Sequence, residues 1–165
     1  MRLSLTKGAG GGGPNSIARE LEDGTTLVWT LGEDAPDGAL LSAEVDLGDG
    51  PWIMRLDRID FEPGGTAYRH THPGPGIRYL LFGQITIDSE GEQHTYGPGE
   101  PWFERGPDPV LATTTPDEPS AFIRVLLLPE EWAGKRTISY VDPADAEKPK
   151  TQRPTVYSEQ PVVRP

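Results

Sequence analysis

A chain of 165 residues is long enough for one hydrophobic core and short for two. Its 15 basic and 26 acidic side chains give a formal net charge of −11, and no Lys/Arg cluster is dense enough to neutralise a phosphate backbone, so nucleic acid and anionic membranes are not expected partners. There is no cysteine, which rules out disulfides and thiolate zinc sites and leaves only nitrogen and oxygen ligands for any metal.

Residues 1–16, "MRLSLTKGAGGGGPNS", read as a flexible Gly-rich leader with almost nothing apolar to bury. They hold no apolar run of signal-peptide length, and nowhere do 18 consecutive apolar residues occur, so a soluble cytoplasmic protein is expected. Twenty glycines and 18 prolines then interrupt the chain too often for helices of ordinary length. Between them lie short apolar or alternating runs: "TTLVWTL" (25–31), "WIMRLDRIDF" (52–61), "IRYLLFGQITID" (77–88), "EQHTY" (92–96), "PWFE" (101–104), "PVLATTT" (109–115) and "AFIRVLLLP" (121–129). Many short strands separated by turn signals predict an all-β sandwich or barrel over 17–133.

From 134 to 165 the chain turns polar and proline-spaced, with one helical turn expected in "DPADAEK". The rest reads as an extended C-terminal arm packed on its own domain or on a second subunit. Such an arm, together with the open edges of a barrel, suits a homodimer.

All three histidines fall between positions 70 and 94. In "YRHTHPG", His70 and His72 stand at i and i+2, and strand side chains alternate faces, so the two imidazoles project to one side and can share a ligand.

The segment "GGTAYRHTHPGPGIRYLLFG" resembles the first cupin motif, G-x5-H-x-H-x3,4-E-x6-G, with Gly64, His70, His72 and Gly83 in place and Gly76 where the glutamate belongs. The second motif, G-x5-P-x-G-x2-H-x3-N, keeps Gly99 but has Arg105, Pro107, Val110 and Thr114 at its other positions. The resemblance implies a cupin-type β-barrel, the double-stranded β-helix or jelly roll, with little helix. It also implies an interior divalent metal ion, Fe, Mn, Ni or Zn, held in the family by three histidines and one glutamate. Two of those four ligands are missing here.

His94, on the strand after the "DSEGE" turn, is one candidate to join His70 and His72 as a metal ligand. Glu104 is the other, and would complete the two-histidine, one-carboxylate set of non-haem iron enzymes. Arg78 lies two residues beyond Gly76 in an apolar run, and a buried guanidinium needs an anion. That anion is either Glu104 or a substrate carboxylate, and the first choice removes Glu104 from the metal.

Two functions follow. One is a metal-dependent enzyme of dioxygenase, lyase or isomerase type acting on a small carboxylate-bearing or aromatic molecule, with Arg78 and Glu104 in catalytic roles. The other is a non-catalytic cupin that binds or senses a small molecule through a degenerate metal site.

Overall fold

The computed structural model describes residues 1–8 and 12–164. Its strands form three antiparallel sheets. A four-stranded sheet has the order β2 (Ser16–Glu20), β3 (Thr26–Gly32), β1 (Arg2–Lys7), β4 (Leu41–Glu44). A five-stranded sheet runs β10 (Pro101–Glu104), β7 (Gly76–Phe82), β12 (Ser120–Pro129), β5 (Trp52–Phe61), β14 (Gln152–Pro161). The other five-stranded sheet runs β13 (Ser139–Tyr140), β6 (Thr66–Thr71), β11 (Val110–Thr114), β8 (Ile85–Ser89), β9 (Glu92–Tyr96).

Strands β5 to β12 switch between the two five-stranded sheets at every connection except the β8–β9 hairpin, giving neighbours β5-β12-β7-β10 in one and β6-β11-β8-β9 in the other. This is the double Greek-key order of a jelly roll. The all-β barrel expected from the sequence is therefore the fold adopted.

The sheet containing β12 is covered on both faces. On one side Met54, Leu56, Ile77, Tyr79, Val125 and Leu127 pack with Leu3, Leu5, Leu27 and Trp29 of the four-stranded sheet. On the other, Ile59, Phe61, Leu80 and Phe122 meet Ala67, Ile87, Val110 and Ala112. Double coverage is why "AFIRVLLLP" is almost continuously apolar and does not alternate. The buried Trp29 Nε1 donates to the Ile77 carbonyl at 3.1 Å and ties the layers together.

The leader reading is corrected in part. Arg2–Lys7 is β1, paired with both β3 and β4, and Leu3 and Leu5 are 0% exposed. Burying two leucines contributes roughly 1.5–3 kcal/mol each, which outweighs the polar character of their neighbours. Residues 9–11 of the predicted leader lie outside the described residues. The arm is placed as well: β14 pairs along β5, so residues 152–161 pack on their own domain. Its Pro154 is tolerated because β14 is an edge strand. The expected helical turn is a 3-10 turn at Pro143–Glu147, with the Asp142 carboxylate accepting from Ala144 N at 3.0 Å. Among the described residues no helix is long and apolar enough to cross a membrane.

The turn after His72 is held tightly. His72 N donates to the Gly106 carbonyl and Leu127 N to the Pro75 carbonyl, both at 2.8 Å. A Cβ on Gly74 would fall 1.8 Å from the Leu127 carbonyl oxygen, so only glycine lets the turn lie this close to β12.

Candidate functional site

Strand β6 pairs with β11 through Val110↔His70 and Ala112↔Ala67, with a register shift between them. The irregularity lets Ala67 and His70, three residues apart, both face inward. His72 follows on the same side. The two imidazole centroids are 4.9 Å apart, with the rings nearly perpendicular at 82°.

Facing them is a polar row produced by strand register. Trp102 pairs with Arg78, Arg78 with Arg124, and Arg124 with Asp57, across β10, β7, β12 and β5. Arg124 donates from Nε to Asp57 Oδ1 at 2.7 Å and from Nη2 to Oδ2 at 3.1 Å. Its Nη1 approaches His72 Nε2 at 3.5 Å. Arg78 is 0% exposed and is satisfied far less well. Nη1 donates to the Gly76 carbonyl at 3.0 Å, and Nε lies 2.6 Å from Glu104 Oε2. That second contact is an ion pair off the hydrogen-bond axis, because neither Nε nor Nη2 has a hydrogen-bond partner. Glu104 Oε2 also accepts from Trp102 Nε1 at 3.0 Å.

Between the two sheets lies a cavity of about 420 Å³. One end is lined by the histidines, Arg78, Arg124, Asp57 and Glu104, the other by Ile59, Phe61, Ala67, Ala112 and Phe122. The segment before β13 closes part of the wall with Lys135, Arg136, Thr137 and Ile138. Arg55 fixes that segment: its Nη1 and Nη2 donate to the carbonyls of Lys135 and Trp132, both at 2.8 Å, and its Nε donates to Glu159 Oε1 at 2.6 Å.

Hydrogen bonding sets the tautomers of the neutral rings. His70 Nδ1 lies 2.6 Å from the Tyr68 carbonyl, which only accepts, so Nδ1 carries the proton and Nε2 presents a lone pair. Arg124 only donates, so His72 Nε2 accepts from it and Nδ1 donates to Thr137 Oγ1 at 3.0 Å. Burial pushes His70 below its ordinary value of 6.5; the Tyr68 bond and Glu104 oppose this, and the two arginines reinforce it. His72 is pushed well below 6.5, by burial first and then by Arg124 and Arg78. Burial also pulls Arg78 down to about 10. At neutral pH the site therefore holds two neutral imidazoles beside two guanidinium cations.

This donor set does not fit a divalent metal ion. The two carboxylates nearest the histidines are engaged, Asp57 by Arg124 and Glu104 by Arg78. The lone pair of His72 faces a cation. Among the described residues no group of three His, Cys, Asp or Glu side chains is arranged to hold a metal. The family glutamate cannot be restored either, because a Cβ on Gly76 would lie 2.5 Å from the Val125 carbonyl and 2.7 Å from Leu126 Cδ2.

His70, His72, Arg78 and Glu104 come together as the spacing predicts; His94 does not. Its side chain is 66% exposed beside Glu92 on the edge strand β9, and it does not line the main cavity. It fails because β9 lies at the sheet edge, where the inward-facing parity no longer leads to the barrel interior. Of the two roles open to Glu104, pairing with Arg78 is the one observed. The sequence reading missed Arg124, Asp57, Arg55, Glu159 and Thr137. For the first three the signal was present: charges at 55 and 57 share a parity within "WIMRLDRIDF", and Arg124 interrupts "AFIRVLLLP" just as Arg78 interrupts its own run.

No family model matches the chain, and no curated protein matches it either. Solved structures similar to it include the polyketide cyclase RemF from Streptomyces resistomycificus, 22% identical over 59% of this chain and 67% of that one, TM-score 0.44. An RmlC-like cupin from Shewanella frigidimarina is 22% identical over 53% of this chain and 86% of that one, TM-score 0.41. A predicted oxalate decarboxylase from Thermotoga maritima is 21% identical over 44% and 64%, TM-score 0.39. These partial overlaps add nothing about the reaction. Strand order decides the fold. The barrel is a jelly roll.

Proposed function

We propose that the barrel takes up a small, mainly apolar molecule carrying a carboxylate or comparable oxyanion, and that His70 accepts a proton from it without a metal ion. The observation that carries this reading is Arg78. A wholly buried guanidinium held by one hydrogen bond and one off-axis ion pair is under-satisfied, and an oxyanion entering beside it with a shift of Arg78 or Glu104 would supply the missing acceptors. The apolar end accommodates the body of such a molecule.

His70 Nε2 has no hydrogen-bond partner among the described residues, and the ring stays neutral at pH 7, which is the state a proton acceptor needs. A proton taken from a carbon next to a carbonyl would pass to Nε2, and the oxyanion formed would lie near the arginines. Of the chemistries considered, isomerase and lyase types suit such a step. The second reading is a binding-only barrel. It is favoured by Glu104, whose engagement with Arg78 leaves no second acid to deliver a proton at another position of the substrate.

Titration with phenylacetate, 3-phenylpropanoate and hexanoate tests the binding reading. At least one should bind, and Arg78→Leu should abolish binding while the protein stays folded. Deuterium uptake by phenylpyruvate in D2O, lost in His70→Phe, would favour the catalytic reading over the binding-only one. Near-stoichiometric Fe, Mn, Ni or Zn after supplementation, absent from a His70→Ala, His72→Ala double variant, would overturn the metal-free reading.

A further inference from the structure

Burial separates the floor of the cavity from its mouth. Of the residues lining it, His70, His72, Arg78, Arg124 and Asp57 are buried, whereas Lys135, Arg136, Pro154 and Val156 are exposed, so the cavity opens between the segment 134–138 and β14. The other cations in the lining each have a carboxylate: Arg55 has Glu159, Arg124 has Asp57 and Arg78 has Glu104. Lys135 and Arg136 have none. Among the described residues neither side chain has an ion-pair or hydrogen-bond partner, yet the backbone that carries them is held on both sides. The Lys135 carbonyl accepts from Arg55 Nη1 at 2.8 Å, and Thr137 Oγ1 accepts from His72 Nδ1 at 3.0 Å. Two exposed cations on an anchored backbone, bonded to nothing, have no explanation in the packing of the fold.

We infer that Lys135 and Arg136 are the capture site of the cavity, drawing an anionic ligand to the mouth and setting its rate of entry. The inference rests on the proposed oxyanion reading and adds to it the path of approach. Its physical basis is a contrast with the rest of the surface. The chain carries a net charge of −11, which opposes the approach of a small anion from most directions. Two unpaired cations beside the mouth counter that repulsion locally, over about one Debye length, roughly 8 Å at physiological salt. Pro154 and Val156 give the opening an apolar wall, and walls of low dielectric focus such a field into a cleft. Capture and final binding then use different residues: water-exposed cations at the mouth, and the under-satisfied Arg78 at the floor. The mouth thereby selects anions over neutral molecules of the same shape before they reach the buried site.

Stopped-flow association tests this with whichever of phenylacetate, 3-phenylpropanoate and hexanoate binds wild type most tightly. Wild type is compared with a mouth variant, Lys135→Gln with Arg136→Gln, and with a control, Lys7→Gln with Arg19→Gln. The control removes the same charge from β1 and β2, in the four-stranded sheet on the opposite face of the β12 sheet from the cavity. At about 10 mM salt the mouth variant should associate about threefold to tenfold more slowly than wild type, and at about 1 M, where the Debye length is about 3 Å, within about 1.5-fold of it. Its dissociation rate should stay within about twofold, as for a rim charge that the bound ligand does not touch. The control should associate within about twofold of wild type at both salt concentrations. Arg136→Glu alone replaces the mouth variant if that does not fold. A mouth variant as fast as wild type at low salt, or slowed no more than the control, overturns the capture assignment and leaves the oxyanion reading standing. Binding of none of the three acids to wild type, or binding that survives Arg78→Leu, overturns the oxyanion reading and this assignment with it.

Discussion

Two buried arginines stand directly opposite each other in adjacent strands, and their surroundings differ sharply. On the β12–β5 flank, Arg124 directs two nitrogens to the two oxygens of Asp57 and a third towards His72. On the β10–β7 flank, Arg78 has a single hydrogen bond, to the Gly76 carbonyl, and an ion pair with Glu104 that leaves Nε and Nη2 unbonded. Both are charges in an apolar run, but one is a completed structural unit and the other retains unused donors. Burial of a charge does not by itself mark a binding group; what marks it is the count of donors left over once protein partners are subtracted.

The largest expected effect tests the completed flank. Asp57→Ala strands the Arg124 guanidinium and should cost about 3–5 kcal/mol, as breaking a buried pair usually does. For a chain of this size that corresponds to a fall in Tm of roughly 6–20 °C. A fall of only a degree or two would mean that Arg124 has other support and that the flanks are alike.

Next in size is a pH effect. His72 titrates well below 6.5 in the folded chain and at its ordinary 6.5 when unfolded. Above about pH 7 both states are neutral at His72 and its contribution to stability is complete. As pH falls through 6.5 the unfolded chain takes up a proton that the folded chain refuses, so stability declines by up to about 1.4 kcal/mol per pH unit. Urea midpoints between pH 7.5 and 5.5 should show this slope added to a smaller one of the same sign from His70, and His72→Gln, which can still donate to Thr137 and accept from Arg124, should reduce the total and leave the His70 part. Equal slopes in the two proteins would place the protonation elsewhere.

Smaller still is the expected result on the open flank. Replacing both members, Arg78→Met with Glu104→Gln, removes a buried pair without stranding a charge, so stability should change by no more than about 1.5 kcal/mol or should rise. Oxyanion binding should be lost all the same. A large loss of stability would make this pair structural, like Arg124–Asp57, and would erase the contrast between the flanks.

Legibility in the sequence followed the same physics. Strands β5, β7, β8, β11 and β12 were readable because their buried faces impose apolar runs or period-two alternation on the sequence. Strand β1 was hidden: only Leu3 and Leu5 carry its buried face, and the glycines that follow dominate the local composition. The ten residues of β14 were hidden by prolines at 154 and 161. At the site, the pair His70/His72 and the isolated charge Arg78 were visible as local patterns. The partners Asp57 for Arg124, Glu159 for Arg55 and Thr137 for His72 were not, because each depends on register or on where a distant segment returns.

That last group sets the smallest expected effect, in the arm. Glu159 is 24% exposed, and its ion pair with Arg55 works alongside two backbone carbonyls that also hold the guanidinium. Glu159→Gln keeps an acceptor and removes only the charge, so the global loss should be about 1 kcal/mol or less. Its local consequence should exceed its global one. Gly134 N donates to both Glu159 oxygens, at 3.2 and 3.1 Å, so the same carboxylate anchors the backbone that carries Thr137 to His72. Amide exchange at 133–138 should speed up in Glu159→Gln while the strands of the barrel keep wild-type protection. If exchange there is unchanged, the segment is held by its own packing, and Arg55 then belongs with Arg124 as a charge that serves the fold alone.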